Sequence, residues 1–308
     1  MAFTRRALVI GGFELYWYSV LIALGALMSY CACVRRQKRL GLPQDTAIDL
    51  VLVTIPCGVI GARAYYVLLN PGMFHSFWEV VDIRSGGLAI YGGLIAGLAA
   101  GFVYAWKKHL SLLRLTDLAL PCVALGQAVG RWGNFVNEEA YGVAIANKAL
   151  CFFPVAVYIQ EDGLWHAATF FYESLWCLFI FLMVCALPTR KRFYKKGAGT
   201  LGYILLYAFE RCAVEGLRTD SLYLGSVRFS QLLSAVLLIV CAGILVKKEG
   251  AAAKLLFAAS ALLLLGCVIG PAGQALCCLS LLPLGALSSW AFSKWSAQDT
   301  EKESHTNA

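Results

Sequence analysis

Within nine residues of the stretch GQAVGRWGNFVNEEAYG, Gly126 to Gly142, stand Arg131, Asn134, Asn137, Glu138 and Glu139. A guanidinium is a planar fork of donors that grips a phosphate or carboxylate at two points, and a lysine point charge is not. Carboxylates beside it can hold the fork in place. The set suits two-point recognition of an anionic group. Arg131, Asn134 and Glu138 are spaced i, i+3, i+7, so a helix that continues that far places them on one face. A second patch repeats the logic: in ERCAVEGLRTDS, Arg211, Glu215 and Arg218 fall at i, i+4, i+7 and leave a net positive stripe. Glu215 can hold the arginines while leaving donors free for an anion. A closed structural ion-pair network would have the same pattern.

The elements that must position these groups lie in a membrane. Of 308 residues 60% are hydrophobic and 14% charged, with a mean hydropathy of +0.70, which excludes an ordinary soluble domain. Crossing a hydrocarbon core takes roughly 20 helical residues. Apolar runs of about that length lie near 15–34, 46–69, 86–106, 117–133, 167–187, 199–217 and 228–247, with two shorter ones near 254–270 and 274–291. The runs are continuous and lack the strict alternation of a β-barrel strand. The expected fold is an all-α polytopic membrane protein. Residues 1–250 form a seven-transmembrane-helix core, 251–292 hold two extra C-terminal apolar segments, and 293–308 form a polar cytoplasmic tail. A central arginine costs about 2.5 to 3.5 kcal/mol on insertion scales, so such residues face the protein interior or a wet cavity.

Orientation follows from the basic residues. RRQKR, KKHLSLLR, RKRFYKK and KKEGAAAK, after the first, third, fifth and seventh spans, hold 15 of the 26 lysines and arginines. That asymmetry places the N-terminus outside and the C-terminus inside. Arg5 and Arg6 break the pattern, but Glu14 interrupts the following apolar run and no cleaved signal peptide is expected. The remaining outer or intramembrane set, including Arg63, Arg84, Arg131, Arg211, Arg218 and Arg228, has eight arginines to one lysine, against six to nine in the inner loops. That bias points to an anion site on the outer leaflet. Most cysteines sit in apolar spans, where they behave as small hydrophobes. No Cys/His set has metal-ligand spacing, so neither metal nor cofactor is expected. In SGGLAIYGGLIAGLAAG, residues 85–101, the glycines serve close helix packing, or Gly92 and Gly93 let a ligand approach the backbone.

The signature pattern Gly-Arg-x-Gly-Asn-Phe-x-Asn-x-Glu-x-x-Gly is met by Gly130, Arg131, Gly133, Asn134, Phe135, Asn137, Glu139 and Gly142. With YWYS around Tyr18, GAR ending at Arg63, GGLAIYGG at 86–93, FFYES with Tyr172 and Glu173, and RCAVEGLRTDS, the chain resembles prolipoprotein diacylglyceryl transferases over roughly residues 14–247. The resemblance implies a seven-helix protein of the bacterial inner membrane. It implies transfer of a diacylglyceryl group from phosphatidylglycerol to the lipobox cysteine of preprolipoprotein signal peptides, with release of glycerol phosphate. Membrane lipid and these peptides are the expected partners, and nucleic acid is not.

On that resemblance Arg131, Arg211, Tyr91 and Glu139 are the expected catalytic residues. Arg131, Asn134, Asn137, Gly142, Tyr18, Arg218, Glu215 and Arg63 are the expected phosphatidylglycerol-binding residues. Gly142 would permit a turn closing over the site, and with Glu139 as the working acid the regular helix should end near Asn134. Tyr91 stands where many members carry histidine, and Arg84 where tryptophan is familiar; HAATFFYE, with Ala167, replaces a His-Pro version of that segment. A lipid-binding membrane protein or a transporter of an anionic substrate is the alternative function.

Overall fold

Each of the seven long apolar runs before residue 250 coincides with a helix. In order these seven are α1 (Trp17–Leu40), α2 (Thr46–Leu69), α4 (Ile90–Lys107), α5 (Leu112–Asn137), α6 (Thr169–Ala186), α7 (Ala198–Val214) and α8 (Phe229–Val246), with the short α3 (Phe77–Val81) between the second and third runs. The structure, a computed structural model, describes residues 2–3, 7–10, 13–83, 86–186, 196–219, 223–224 and 227–246. The expected segments in 251–292, the tail from 293, and Arg5, Arg6 and Arg84 lie outside the described residues. Helix is the required solution for these runs, because a backbone in hydrocarbon finds no water and must satisfy its own N–H and C=O groups. Among the described residues, α1, α2, α4 and α5 are long and apolar enough to cross a membrane, while α6 and α8 carry shorter apolar stretches. Their outward side chains are large and apolar: Leu52, Ile60, Leu94, Leu98 and Leu182 are all exposed.

The all-α expectation needs one correction. Short antiparallel strands flank the helices: β1 (Ala2–Phe3), β2 (Ala7–Ile10) and β3 (Phe13–Tyr16) precede α1, β4 (Ala156–Ile159) and β5 (Leu164–Ala167) form a hairpin before α6, and β6 (Tyr223–Leu224) pairs with β7 (Val227–Arg228) before α8. The β4–β5 turn uses Gly163 at φ 69°, a left-handed conformation that glycine adopts without steric cost. These pieces are too short to compete with the apolar helical signal in the sequence.

The chain divides into two compact units, Tyr30–Ala119 and the remainder. In the first, α2 and α4 pack antiparallel through glycines. A Cβ on Gly92 would stand 2.3 Å from the Gly61 carbonyl oxygen and 2.3 Å from the Tyr65 Cβ, while Gly93 has 3.2 Å to the Gly58 oxygen. The helical backbone at Gly92 therefore faces a neighbouring helix, which favours the packing reading over ligand approach. At the other end, Asp49 accepts from the Tyr104 hydroxyl at 3.0 Å and pairs with Lys108 at 3.2 Å. Gly92→Ala is expected to lower stability by about 1 to 3 kcal/mol, the usual cost of overpacking, and Gly93→Ala by less. Thermal unfolding of the purified protein checks this, and equal effects of the two variants would contradict it.

In the second unit, α1 and α5 also meet at glycines. A Cβ on Gly25 would lie 2.9 Å from the Gly126 oxygen, and one on Gly133 would lie 2.6 Å from the Tyr18 ring. Side chains of α5, α6 and α7 close a core of Ala124, Ile180, Val184, Tyr203 and Leu206. A second cluster, Val157, Ile159, Ala168 and Phe170, sits under the β4–β5 hairpin with Phe135 and Tyr141 against it.

A candidate anion site around Glu173

Glu173, in the first turns of α6 and only 1% exposed, is the residue on which the arginines converge. Arg131 Nε reaches its Oε2 at 2.6 Å, Arg211 Nη1 its Oε1 at 2.8 Å, and Arg218 Nη1 the same oxygen at 3.4 Å. Arg211 also donates through Nη2 to Glu215, one helical turn on. Arg228 donates to the backbone carbonyl of Glu215. The two polar patches of the sequence thus form one cluster, tied together by a carboxylate from a third helix. Arg211 and Glu215 meet because they are i, i+4; α7 then tightens into a 3-10 turn at Glu215–Leu217, and Arg218 enters from extended backbone.

Arg131 differs from its neighbours. Among the described residues its partner is Glu173, through Nε, and its two terminal nitrogens donate to no protein atom. Its side chain is 18% exposed, against 1% for Glu173. The fork is held at its base and open at its tip, which is the arrangement an anion needs for two-point binding.

The α5 terminus explains the signature. The helix runs to Asn137, three residues beyond the expected end at Asn134, and stops because Glu138 adopts φ 56°. Glu139 N–H then donates to the Asn134 carbonyl at 3.0 Å and Glu138 N–H to that of Phe135 at 3.3 Å, the paired closure of a left-handed helix cap. Glu138 therefore leaves the Arg131–Asn134 face. Glu139 folds back instead, and its Oε1 accepts from Asn134 Nδ2 at 2.9 Å. The Tyr18 ring rests on Gly133, where Glu139 and Arg131 are the charges acting on it. Asn137 is half-buried at the last position of the helix.

Gly142 makes a close approach rather than a turn. It has no left-handed φ; its N–H donates to the Ala167 carbonyl at 3.0 Å, and a Cβ there would fall 2.8 Å from that of Ala167. The turn itself is at Glu138 and Ala140, both at φ 56°. Thr169 donates to the Ala140 carbonyl at 2.7 Å and Thr219 to that of Tyr141 at 3.2 Å, so the strand leaving the signature is fastened to α6 and to the α7 exit. Beside it Tyr172 donates to the Val155 carbonyl.

His166 completes this clamp. Its Nδ1 lies 2.8 Å from the Gly142 carbonyl oxygen and its Nε2 2.7 Å from Asp162 Oδ2. Removal from water works to raise the Asp162 carboxyl, and the Leu164 N–H and the His166 ring outweigh it, holding the carboxyl below its ordinary value. A carboxyl depressed in the folded state adds stability that is complete above its unfolded value of about 4 and is lost as pH falls through the folded value. The difference in unfolding temperature between wild type and Asp162→Asn should therefore be largest near neutrality and shrink on acidification below about pH 4. A difference that stays constant would contradict the clamp.

Arg63 and Tyr91 belong to the other unit. Arg63, expected among the lipid-binding arginines, is buried and has four donors committed to backbone carbonyls. Nε reaches Val80 at 2.8 Å, Nη1 reaches Gly86 at 2.7 Å and Gly87 at 3.1 Å, and Nη2 reaches Glu79 at 2.6 Å. It holds the segment between α3 and α4 in place and has no open fork. Tyr91 occupies the first turn of α4. Glu173 was not among the expected site residues; the sequence signal was a charged residue entering an otherwise apolar span.

Apolar helices with apolar exteriors are those of a multi-pass membrane protein, and arginines gathered on a buried carboxylate with one fork open make its candidate anion site. The family model for prolipoprotein diacylglyceryl transferase matches residues 5–247. A phosphatidylglycerol–prolipoprotein diacylglyceryl transferase of Finegoldia magna is 43% identical over 237 residues, covering 76% of this chain and 92% of that protein. The Clostridium perfringens protein named as transferase 1 of this type is 40% identical over 240 residues, covering 76% and 90%, and the Bacillus anthracis protein 38% over 247, covering 77% and 88%. The chain belongs to the prolipoprotein diacylglyceryl transferase family, as its signature led us to expect.

Proposed function

We propose that this chain transfers a diacylglyceryl group from phosphatidylglycerol to the lipobox cysteine thiol of preprolipoproteins in the bacterial inner membrane. Sulfur bonds to the glycerol carbon, the bond from that carbon to the phosphate oxygen breaks, the thiol gives up its proton, and glycerol phosphate leaves. The observation that carries this reading is the open fork of Arg131 beside a carboxylate hub. Negative charge grows on the departing phosphate, and a donor fixed in advance stabilises it more in the transition state than in the bound lipid. Arg131 and Arg211 fill that role. Glu139 orients Asn134 toward the headgroup hydroxyls, with Asn137 and Tyr18 beside them. Glu173 and Glu215 set the position of Arg211, Arg218 shares the Glu173 carboxylate on the lipid side of the cluster, and Gly142 keeps the signature strand close to β5. Arg63 acts at a remove, by shaping the segment before α4.

Seven membrane crossings, with the N-terminus outside and the C-terminus inside, go with this reading and are supported by the loop charges. Tyr91 donates a hydrogen bond to the lipid phosphate or glycerol. A phenol, which titrates near 10, is a poor base at neutrality, and imidazole can make the same donation. Tyr91→Phe should lose activity and Tyr91→His should keep it, with the loss independent of pH between about 6 and 8. Rescue of Tyr91→Phe by raising the pH would contradict this. The reaction itself is tested with purified protein, phosphatidylglycerol vesicles and a lipobox peptide. Glycerol phosphate should appear only when the peptide carries its cysteine. Release that ignores the peptide would leave a lipid-binding or hydrolytic protein.

A further inference from the structure

Glu210 stands next to Arg211 on α7 and is 1% exposed, and neither of its carboxyl oxygens has a hydrogen-bond partner among the described residues. The charges acting on it are Glu173 of α6, Arg211 of its own helix, Arg131 of α5 and Arg218. The uncharged titratable groups around it are Cys177 of α6 and Tyr203 and Tyr207 of α7. From β7, Arg228 donates to the Glu215 backbone carbonyl. The arginines that pair with Glu173 are turned to that carboxylate and to Glu215, and none donates to Glu210. An ionised carboxylate in such a place has neither water nor a donor and sits beside a second carboxylate.

Charge balance gives this a consequence. Arg131, Arg211 and Arg218 bring three positive charges to the cluster, and Glu173 and Glu215 two negative ones. With Glu210 neutral, the groups bonded to Glu173 keep a net positive charge for an anion; ionised, Glu210 adds a third carboxylate beside them and takes one unit of that charge away. We propose that Glu210 is a positioning residue that carries a proton while the anionic lipid is bound, and that its ionisation weakens lipid binding at the arginine cluster. This rests on the reading of that cluster as the phosphatidylglycerol site.

The test is the KM for phosphatidylglycerol at saturating lipobox peptide, from about pH 6 to about pH 9.5, in wild type and in Glu210→Gln. The wild-type KM should rise on the alkaline side by roughly tenfold, the effect of one added charge at short range in a partly screened site. Ionisation of the peptide thiol acts on kcat and is separated by that choice of parameter. Glu210→Gln cannot ionise, and its KM should be flat with pH. Glu210→Met, also uncharged and of similar length, serves if the glutamine variant does not accumulate as folded protein. A wild-type KM that is flat, or a variant that keeps the wild-type rise, overturns the proposal. Displacement of a fluorescent phosphatidylglycerol, measured without turnover, gives the same comparison. Absence of any thioether at every pH alongside pH-dependent lipid binding would count against the transfer reaction and leave the role of Glu210 standing.

Discussion

Glu173→Gln should damage both the fold and the chemistry. Glutamine preserves the volume but not the charge, and its amide nitrogen would turn a donor toward guanidinium groups that are themselves all donor. Three arginines depend on that carboxylate, at 2.6, 2.8 and 3.4 Å, and it is buried on the inside of α6. Removing one partner of a buried ion pair typically costs about 3 to 5 kcal/mol, because the remaining charge stays desolvated and alone. Part of that cost is relieved here through Glu215, which still holds Arg211, and through the partial exposure of Arg131. A loss in the lower half of that range is expected in thermal or chemical unfolding, with transfer reduced well beyond the loss of folded protein. A variant with wild-type stability and turnover would show that Glu173 is not the hub of the site.

Arg131→Lys should separate the two effects. Lysine keeps the charge and can still pair with Glu173, so insertion and folding should change little. It loses the planar fork, whose terminal nitrogens are the open donors of the cluster. Loss of a positioned donor at developing charge costs roughly 2.7 to 4 kcal/mol of barrier, about 10² to 10³ in rate. The expected result is a folded, membrane-inserted protein whose kcat falls by about that factor. Turnover close to wild type would remove Arg131 from the phosphate, and a collapse in stability as large as that of Glu173→Gln would make it a structural partner only.

The sequence carried the helices because each apolar run is long, continuous and incompatible with any other backbone structure in lipid. It carried the two polar patches because arginine, asparagine and glutamate are conspicuous in such runs. What it did not carry was pairing across helices. Glu173 is one acid in an apolar span, and nothing local marks it as the meeting point of three arginines 42 residues before it and 38 and 45 after it. Arg63 shows the converse. Its type advertises two-point anion binding, yet the fork is filled by four backbone carbonyls, and a carbonyl has no sequence signature. α5 runs to Asn137, past the end near Asn134 expected with Glu139 as the working acid, because its left-handed closing residue is Glu138, where glycine or asparagine is the usual signal. The β4–β5 hairpin leaves little mark in the sequence because four-residue strands barely register beside membrane-length helices.

The covalent product is the most direct evidence of the reaction. Purified protein incubated with phosphatidylglycerol of defined acyl chains and a lipobox peptide should yield a peptide heavier by one diacylglyceryl group, attached at the cysteine sulfur, and glycerol phosphate in equal amount. The Arg131→Lys variant should give the same product far more slowly, and a peptide with serine in place of the cysteine should give none. Unmodified peptide after incubation with folded, lipid-bound wild-type protein, or an acyl group carried as a thioester in place of a thioether, would contradict it.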